Sequence, residues 1–583
     1  MNIAILRKQY AAGRTPVELV ASIYDRIEAA PLAPVWISLV PREQAIARAR
    51  ALTEGEDARA LPLYGIPFAV KDNIDVEGMP TTAGCPAFAY SPATSATVVT
   101  RLLDAGAILV GKTNLDQFAT GLVGTRSPHG ACSSVFGEEY ISGGSSSGSA
   151  VAVASELVAF SLGTDTAGSG RVPAAFNNLI GVKPTKGLLS TTGVVPACRS
   201  LDCVSIFAHT CGDAKEVWSV ASGFDASDPF SRTPRPGEGA SPWLGSAFCF
   251  GVPHADQLEF FDDSGAATLF EAAASRLQSL GGHRVEIDFS VFRAAADLLY
   301  SGPWVAERLA ALRDFIPDHG TDMDPVVRQI VSGATRYTAV DGFLAEYRLR
   351  ELRRATDAEW AKIDVLLLPT TGTIYTHKQI AVDPIKLNTN LGYYTNFVNL
   401  LDLAAVAVPA GFRANGLPFG VSLIGEAFSD QALLALAAKL LDEPALSVKP
   451  PPGCIDIAVA GAHLSGQPLN WQLKDHGARL QRTVRTAAGY RFYALSGTTP
   501  AKPGLFRDDR FQGSGIELEV WAMPEDQFGR FVAAVPPPLT IGTVTLENGE
   551  SVKCFLCEPA ALEGAREITQ FGGWRGYLKS GGA

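Results

Sequence analysis

Three short stretches hold residue types that can do chemistry together. Gly143-Gly144-Ser145-Ser146-Ser147-Gly148-Ser149 sets serines among glycines, and Asp165-Thr166-Ala167-Gly168-Ser169-Gly170-Arg171 repeats the theme. Upstream, Ala69-Val70-Lys71-Asp72-Asn73 puts a lysine at the end of the apolar run that begins at Ile66. A serine hydroxyl becomes a useful nucleophile only when a neighbouring base takes its proton. A free lysine, with a pKa of about 10.4, is almost wholly charged at neutral pH. Burial among apolar side chains penalises the ammonium and can free the amine. No histidine is needed for such chemistry, and His129 reads as an ordinary loop residue. A Gly/Ser tract is also what linkers, turns and anion nests look like. A linker is disfavoured because the tract runs into a small apolar helix over 150–154. A phosphate loop is disfavoured because the Gly-Lys-Ser/Thr ending is missing.

The elements that must position these residues fall into three zones. Residues 1–60 read as helical, from apolar spacing around Val17-Glu18-Leu19-Val20 and Ile46-Ala47-Arg48-Ala49. From Leu63 to about Leu440, runs such as Pro67-Phe68-Ala69-Val70, Ala107-Ile108-Leu109-Val110 and Val365-Leu366-Leu367-Leu368 alternate with Gly-rich turns and helical stretches. That alternation predicts an α/β fold on a central mixed sheet flanked by helices. Residues 225–242, rich in Pro, Gly, Ser and Asp, read as an exposed excursion. Lys449-Pro450-Pro451-Pro452-Gly453 is the sharpest boundary, since a proline run lacks backbone donors and stiffens the chain. About 130 residues follow it. The expected domains are 1–447 and 454–583, the second a small α+β unit.

Bulk composition narrows the class. The 583 residues exceed one ordinary core, and 47% hydrophobic with 19% charged residues is a globular balance. A net charge of -11 argues against nucleic-acid or anionic-membrane partners. Neither a signal peptide nor a transmembrane stretch is evident, so the cytoplasm is expected. Nine scattered cysteines suit reduced thiols. The lone Cys554/Cys557 pair lacks the further soft ligands of a zinc site and reads as inert, its thiols on opposite faces of a strand.

Taken in order, Ala69-Val70-Lys71-Asp72-Asn73, the Gly/Ser tract and the 165–171 turn with Pro173-Ala174 resemble the amidase-signature family, over roughly residues 10–445. The resemblance implies an amidohydrolase with the amidase-signature fold. It makes Lys71 the base, Ser145 a relay held by a cis peptide, and Ser169 the nucleophile. The backbone N–H groups of Thr166, Ala167, Gly168 and Ser169 would receive the developing oxyanion. Ala167 stands where the family often has glycine, and still offers its N–H. Arg171 reads as a brace of the turn rather than a substrate clamp, and Asp165 as a holder of backbone N–H groups. No metal or organic cofactor is called for.

A second patch bears on the substrate. Leu299-Tyr300-Ser301-Gly302-Pro303-Trp304-Val305-Ala306-Glu307-Arg308 and Gly121-Leu122-Val123-Gly124-Thr125-Arg126-Ser127-Pro128 resemble allophanate hydrolases. The resemblance implies that Arg308 clamps the carboxylate, with the Tyr300 hydroxyl as a second donor and the backbone of 121–123 seating the amide. The bland alternative is a solvated helix face, but Gly302-Pro303 breaks any helix joining the two side chains. Hydrolysis of allophanate to ammonia and N-carboxycarbamate follows from this likeness. Another amidase, or an amidotransferase subunit with a non-catalytic appendage, is the alternative. A catalytically dead scaffold is a third class, and the joint presence of Lys71, Ser145 and Ser169 speaks against it.

The C-terminal stretch adds Val459-Ala460-Gly461-Ala462-His463-Leu464-Ser465-Gly466-Gln467-Pro468-Leu469-Asn470, with Ile568-Thr569-Gln570-Phe571-Gly572-Gly573-Trp574 further on, both similar to allophanate hydrolases. A loose likeness to γ-glutamyl-cyclotransferase-like folds begins at Ala460. The family implies a second step, decarboxylation of N-carboxycarbamate, which favours an acid near neutral pKa. His463, at a strand end, is the expected residue, against a turn-capping structural role. His476 is expected at the surface, and Glu558 is a lesser acid. Dimerisation through this domain and a functional link to a urea carboxylase are the remaining partner expectations.

Overall fold

The structure is a computed structural model that describes residues 1–29, 34–55, 57–234, 248–448 and 453–581. Two compact units emerge, one of Met1–Thr233 with Phe250–Ser447 and one built on Val448–Ala583. The proline run at 450–452 lies outside the described residues, as do positions 235–242 of the expected excursion. The described part of that excursion is largely exposed, but Asp228 is buried and accepts hydrogen bonds from Thr191 N and Oγ1 at 2.7 and 3.0 Å.

The first unit is an α/β fold. Its strands, in chain order, are β1 (Trp36–Leu39), β2 (Pro67–Lys71), β3 (Ile108–Thr113), β4 (Ser133–Ser134), β5 (Gly137–Ile141), β6 (Phe160–Asp165), β7 (Ile180–Lys183), β8 (Cys203–Ala208), β9 (Phe248–Pro253), β10 (Gly282–Ile287), β11 (Val365–Pro369), β12 (Leu403–Phe412) and β13 (Pro418–Glu426). All but the small β4–β5 hairpin join one mixed sheet of 11 strands, ordered β1-β3-β2-β6-β8-β7-β12-β13-β11-β9-β10. Within it β3, β2 and β6 run parallel, and β6, β8, β7, β12 and β13 pair antiparallel in turn. The apolar runs read as strands are buried along their whole length in β2, β3 and β11, because helices cover both faces of such a sheet.

The N-terminal zone is only partly helical. Helices Pro16–Ala29 and Arg42–Glu54 form as their apolar spacing predicts, but between them β1 pairs antiparallel with β3 and becomes the sheet's edge strand. Four residues are too few for periodicity to separate strand from helix. The pairing with β3 decides it.

The second unit holds β14 (Cys454–Val459), β15 (Arg479–Arg485), β16 (Tyr490–Ala494), β17 (Pro503–Arg507), β18 (Glu517–Pro524), β19 (Leu539–Thr545), β20 (Ser551–Cys557) and β21 (Arg566–Glu567). They make a five-stranded sheet, β15-β18-β14-β20-β19, and a three-stranded one, β17-β16-β21. Ile457, Leu518, Val520, Phe492, Leu505 and Trp574 anchor its own core. Cys554 belongs to that core and burial pushes its thiol up to about 12, while Cys557 lies against Gly504. No helix among the described residues is long and apolar enough to cross a membrane.

Candidate active site

The three motifs meet because two parallel strands end side by side. In the β2–β6 pairing Val70 stands opposite Leu162, so Lys71, the last residue of β2, reaches the end of β6. The helix Ser147–Ala154, made of small residues, lies close against both strands. A Cβ on Gly148 would stand 2.4 Å from Val35 O, and one on Gly163 2.6 Å from Ser146 Oγ, so glycine permits the approach. Most serines of the tract serve as clamps. Ser146 Oγ donates to Thr164 O at 3.1 Å, Ser149 Oγ to Leu162 O at 3.0 Å, and Ser161 Oγ to Ser149 O at 2.7 Å. Ser145 is different: it follows a cis Gly144–Ser145 peptide and its hydroxyl faces Lys71.

Lys71 is wholly buried, with Nζ 2.7 Å from Ser145 Oγ and 2.7 Å from Thr164 Oγ1. Burial lowers its pKa, Asp116, Asp202 and Asp165 partly restore it, and the balance comes to about 7. Its partners are hydroxyls rather than carboxylates. The adjacent Asp72 is instead paired with Lys112 at 3.2 Å in a buried ion pair, which keeps that negative charge from holding the proton on Lys71. Thr164, which immediately precedes the Asp165–Arg171 motif, was not singled out from the sequence.

The turn after β6 is held by Asp165. Its carboxylate accepts from Arg171 Nε and Nη2, both at 2.9 Å, and from Gly168 N and Gly170 N at 2.9 and 3.0 Å. Burial raises the Asp165 pKa, but Arg171 and Lys183 more than offset this and hold it low. Arg171 and Asp165 therefore brace the turn. One expectation is corrected here: the Gly168 N–H is committed to Asp165 and is not free to meet an oxyanion. The reason is the carboxylate itself, which in a buried turn must fill its lone pairs. Among the described residues, the N–H groups of Thr166, Ala167 and Ser169 donate to no protein acceptor. The Thr166 hydroxyl donates to Asp202, whose carboxyl is pushed up to about 6 by burial.

Ser169 is 4% exposed, and its hydroxyl donates to Gly121 O at 3.4 Å; no hydrogen bond joins it to Ser145. The first leg of the expected relay is thus made and the second is not closed. Gly121 opens a loop folded around Asp116, whose carboxylate accepts from Val123 N, Gly124 N and Arg126 N at 3.2, 3.0 and 3.0 Å. Leu122 N donates to Asn388 Oδ1 at 2.8 Å. The N–H groups of Leu122 and Val123 are therefore spoken for, and it is the Gly121 carbonyl that meets the Ser169 hydroxyl. The loop joins the cis peptide through Gly144 N to Leu122 O at 2.9 Å and Asp116 N to Ser145 O at 3.0 Å. His129 takes no hydrogen bond with Lys71, Ser145 or Ser169.

Tyr300 and Arg308 come from consecutive helices, Ser290–Ser301 and Trp304–Ala311, with Gly302 and Pro303 at the break. Arg308 is 2% exposed. Its Nη1 donates to Thr120 Oγ1 at 3.0 Å and Ala119 O at 3.4 Å, and Nη2 reaches Tyr300 Oη at 3.4 Å. No carboxylate forms an ion pair with it among the described residues. A buried guanidinium with only neutral partners leaves its charge for an incoming anion. Thr120 and Ala119 directly precede Gly121, which ties this cation to the loop beside Ser169.

In the second unit His463 follows β14 on a turn, stacked on Phe555 at 5.0 Å and edge-on to Phe531 at 5.6 Å. Its Nε2 lies 2.8 Å from Gln472 Oε1. Burial lowers its pKa, with Gln472 opposing the effect and Lys502 adding to it. A small cavity of about 30 Å³ is lined by His463, Gly461, Lys502, Pro503 and Phe555. His476, expected at the surface, is half-buried: it caps the helix Asn470–Asp475 with Nδ1 2.8 Å from Gln472 O and packs edge-on to Phe531 at 5.6 Å. Glu558 is exposed and borders no such cavity.

Comparison with known proteins agrees with this construction. Residues 18–434 match the family described as Amidase, and residues 455–579 match the Allophanate hydrolase C-terminal domain. A urea amidolyase of Saccharomyces cerevisiae is 44% identical over 98% of this chain, which spans only 32% of that relative's length. The solved Kluyveromyces lactis allophanate hydrolase is 42% identical, covers 98% of each chain and superposes with a TM-score of 0.81. A glutamyl-tRNA(Gln) amidotransferase component of Synechococcus is 36% identical over 75% of this chain and 96% of its own. The likeness to that amidotransferase component covers three quarters of the chain, whereas the likeness to the allophanate hydrolase covers nearly all of it. The chain belongs to the amidase family, in the two-domain form that carries an allophanate hydrolase C-terminal domain.

Proposed function

We propose that the chain hydrolyses allophanate, with Ser169 as nucleophile, Ser145 as relay and Lys71 as base. The observation that carries the reading is the wholly buried Lys71 amine, 2.7 Å from Ser145 Oγ, beside a turn with unpaired N–H groups. The Ser169 hydroxyl swings from Gly121 O toward Ser145, which completes the relay; such contacts are often open before substrate binds. Ser169 Oγ attacks the terminal carboxamide carbon, its proton passing through Ser145 to Lys71. The N–H groups of Thr166, Ala167 and Ser169 receive the oxyanion. Lys71 returns the proton through Ser145 to the leaving nitrogen, and ammonia departs. Water, deprotonated by the same amine, then cleaves the acyl-enzyme and frees N-carboxycarbamate. Arg308, aided by Tyr300, holds the substrate carboxylate and sets the preference for a small anionic amide.

The second unit takes up that product. Loss of carbon dioxide breaks the bond from nitrogen to one carboxylate, and the nitrogen gains a proton to give carbamate. His463, beside Lys502 at the small cavity, is the group assigned to that proton. The odd number of scattered cysteines in the sequence suits a reducing compartment, the cytoplasm, as the place of work. The likeness to urea amidolyases supports a functional link to a urea carboxylase as the source of allophanate. The test is ammonia release from allophanate, malonamate and glutamine by the wild type and Ser169→Ala. Turnover of the two anionic substrates, lost in Ser169→Ala, is the expected result. Glutamine activity without allophanate activity would overturn the assignment.

A further inference from the structure

One loop touches both halves of the site without belonging to either. At its far end, the Asp202 carboxylate accepts the hydroxyl of Thr166 on the oxyanion turn, and also Ala197 N at 2.8 Å and Cys198 N at 3.2 Å. In its middle, Ser200 donates through N and Oγ to the two carboxylate oxygens of Glu307, at 2.7 and 2.8 Å. Glu307 immediately precedes Arg308 on the helix Trp304–Ala311. Cys198 Sγ reaches Trp304 O of the same helix at 3.5 Å. The apolar side chains repeat the pattern, because Ala167, Cys198, Leu201, Leu299 and Trp304 form one buried cluster. On another side the loop is not packed: a cavity of about 280 Å³ is lined by Val194, Pro196, Arg199, Asp202 and Asp228. Its position is set by the two polar clamps together with the apolar cluster and Asn399 Nδ2, which donates to Leu201 O at 2.9 Å.

We infer that residues 196–202 couple the carboxylate clamp to the oxyanion turn, with Glu307 and Asp202 as positioning residues at the two ends of the coupling. The inference rests on the reading of Ser169 and Arg308 given above. Seating a carboxylate on Arg308 fixes the helix that carries Glu307. Glu307 fixes Ser200, and the loop in turn fixes Asp202 and Thr166. A small displacement of the turn moves its N–H donors away from the reacting carbonyl, which costs rate rather than binding.

Malonamate and its uncharged analogue malonamide separate this from a local role. If Glu307 served only to aim its neighbour Arg308, Glu307→Gln would raise KM for malonamate and leave malonamide untouched. Coupling instead predicts that Glu307→Gln lowers kcat for malonamate and kcat/KM for malonamide, each about tenfold. Asp202→Asn should do at least as much, and the double variant should cost no more than Asp202→Asn alone, since both act through one loop. Should Glu307→Gln fail to fold, Ser200→Ala removes a single hydroxyl donor and should still slow malonamide by about threefold. An effect confined to KM for malonamate, or full additivity in the double variant, overturns the coupling. Wild-type turnover of neither amide sinks the reading of the site and the coupling with it. Wild-type turnover with unchanged Glu307→Gln sinks the coupling alone.

Discussion

Lys71 and His463 are both bases whose charged forms burial disfavours, yet they sit in very different surroundings. Lys71 lies at the ends of two parallel strands, with two hydroxyls on its amine and three carboxylates near enough to limit the fall of its pKa. His463 lies between aromatic rings, with one amide oxygen on its ring and a lysine nearby that lowers it further. The first environment brings an amine's pKa down to about 7 and sets two hydroxyls against it. The second lowers an imidazole's pKa beside a cavity of about 30 Å³. Burial alone therefore does not identify a catalytic base; the groups that receive its proton do.

The largest test of that contrast is Lys71→Arg, which replaces the amine by a cation that cannot accept a proton. Ammonia release should fall about 10³-fold or more. The wild-type profile should share the cause: the amine is protonated below its pKa of about 7 and free above it, so kcat rises as pH passes upward through that value. A rate independent of pH between 5.5 and 8.5, roughly the span over which such an amine titrates, would break the assignment of Lys71 as base. Next in size is Arg308→Gln, expected to raise KM for malonamate about 10- to 100-fold while malonamide is little changed. An equal effect on both amides would remove the clamp. The smallest effect belongs to His463→Gln. Ammonia release should be unaltered, and carbon dioxide release, followed by isotope-resolved product analysis, should slow about tenfold. If both products slow together, the two regions are not independent sites and the comparison fails.

Much of the first unit was legible because its chemistry is local. Ser145 and Ser169 lie in glycine-rich turns and Lys71 ends an apolar run, and the resemblance of those stretches to the amidase-signature family marked the three residues. Arg171 as a brace was also readable, being only a few residues from Asp165. The commitment of the Gly168 N–H was not readable, because it depends on which way the Asp165 carboxylate turns once Arg171 has fixed it. Thr164, Asp116 and Asp202 escaped notice for a related reason. Each acts on a residue that the fold brings to it, and none carries a distinguishing pattern in its own segment. The second unit was harder throughout. His476 sits in a polar stretch that reads as surface, yet a helix end and Phe531 half-bury it.

By itself the sequence determined the alternation that makes a mixed sheet and the glycines that let strand, helix and turn approach closely, while the family resemblance of its motifs singled out Lys71, Ser145 and Ser169. The first two are consequences of residue type acting over a few neighbours. Only the tertiary structure decided which N–H groups stay unpaired, that Asp72 goes to Lys112 rather than to Lys71, and that one loop bridges Thr166 and Glu307. Hydrogen bonds are short and directional, so their partners are settled by which segments lie within about 3 Å of each other, and that is fixed by chain folding over long sequence separations.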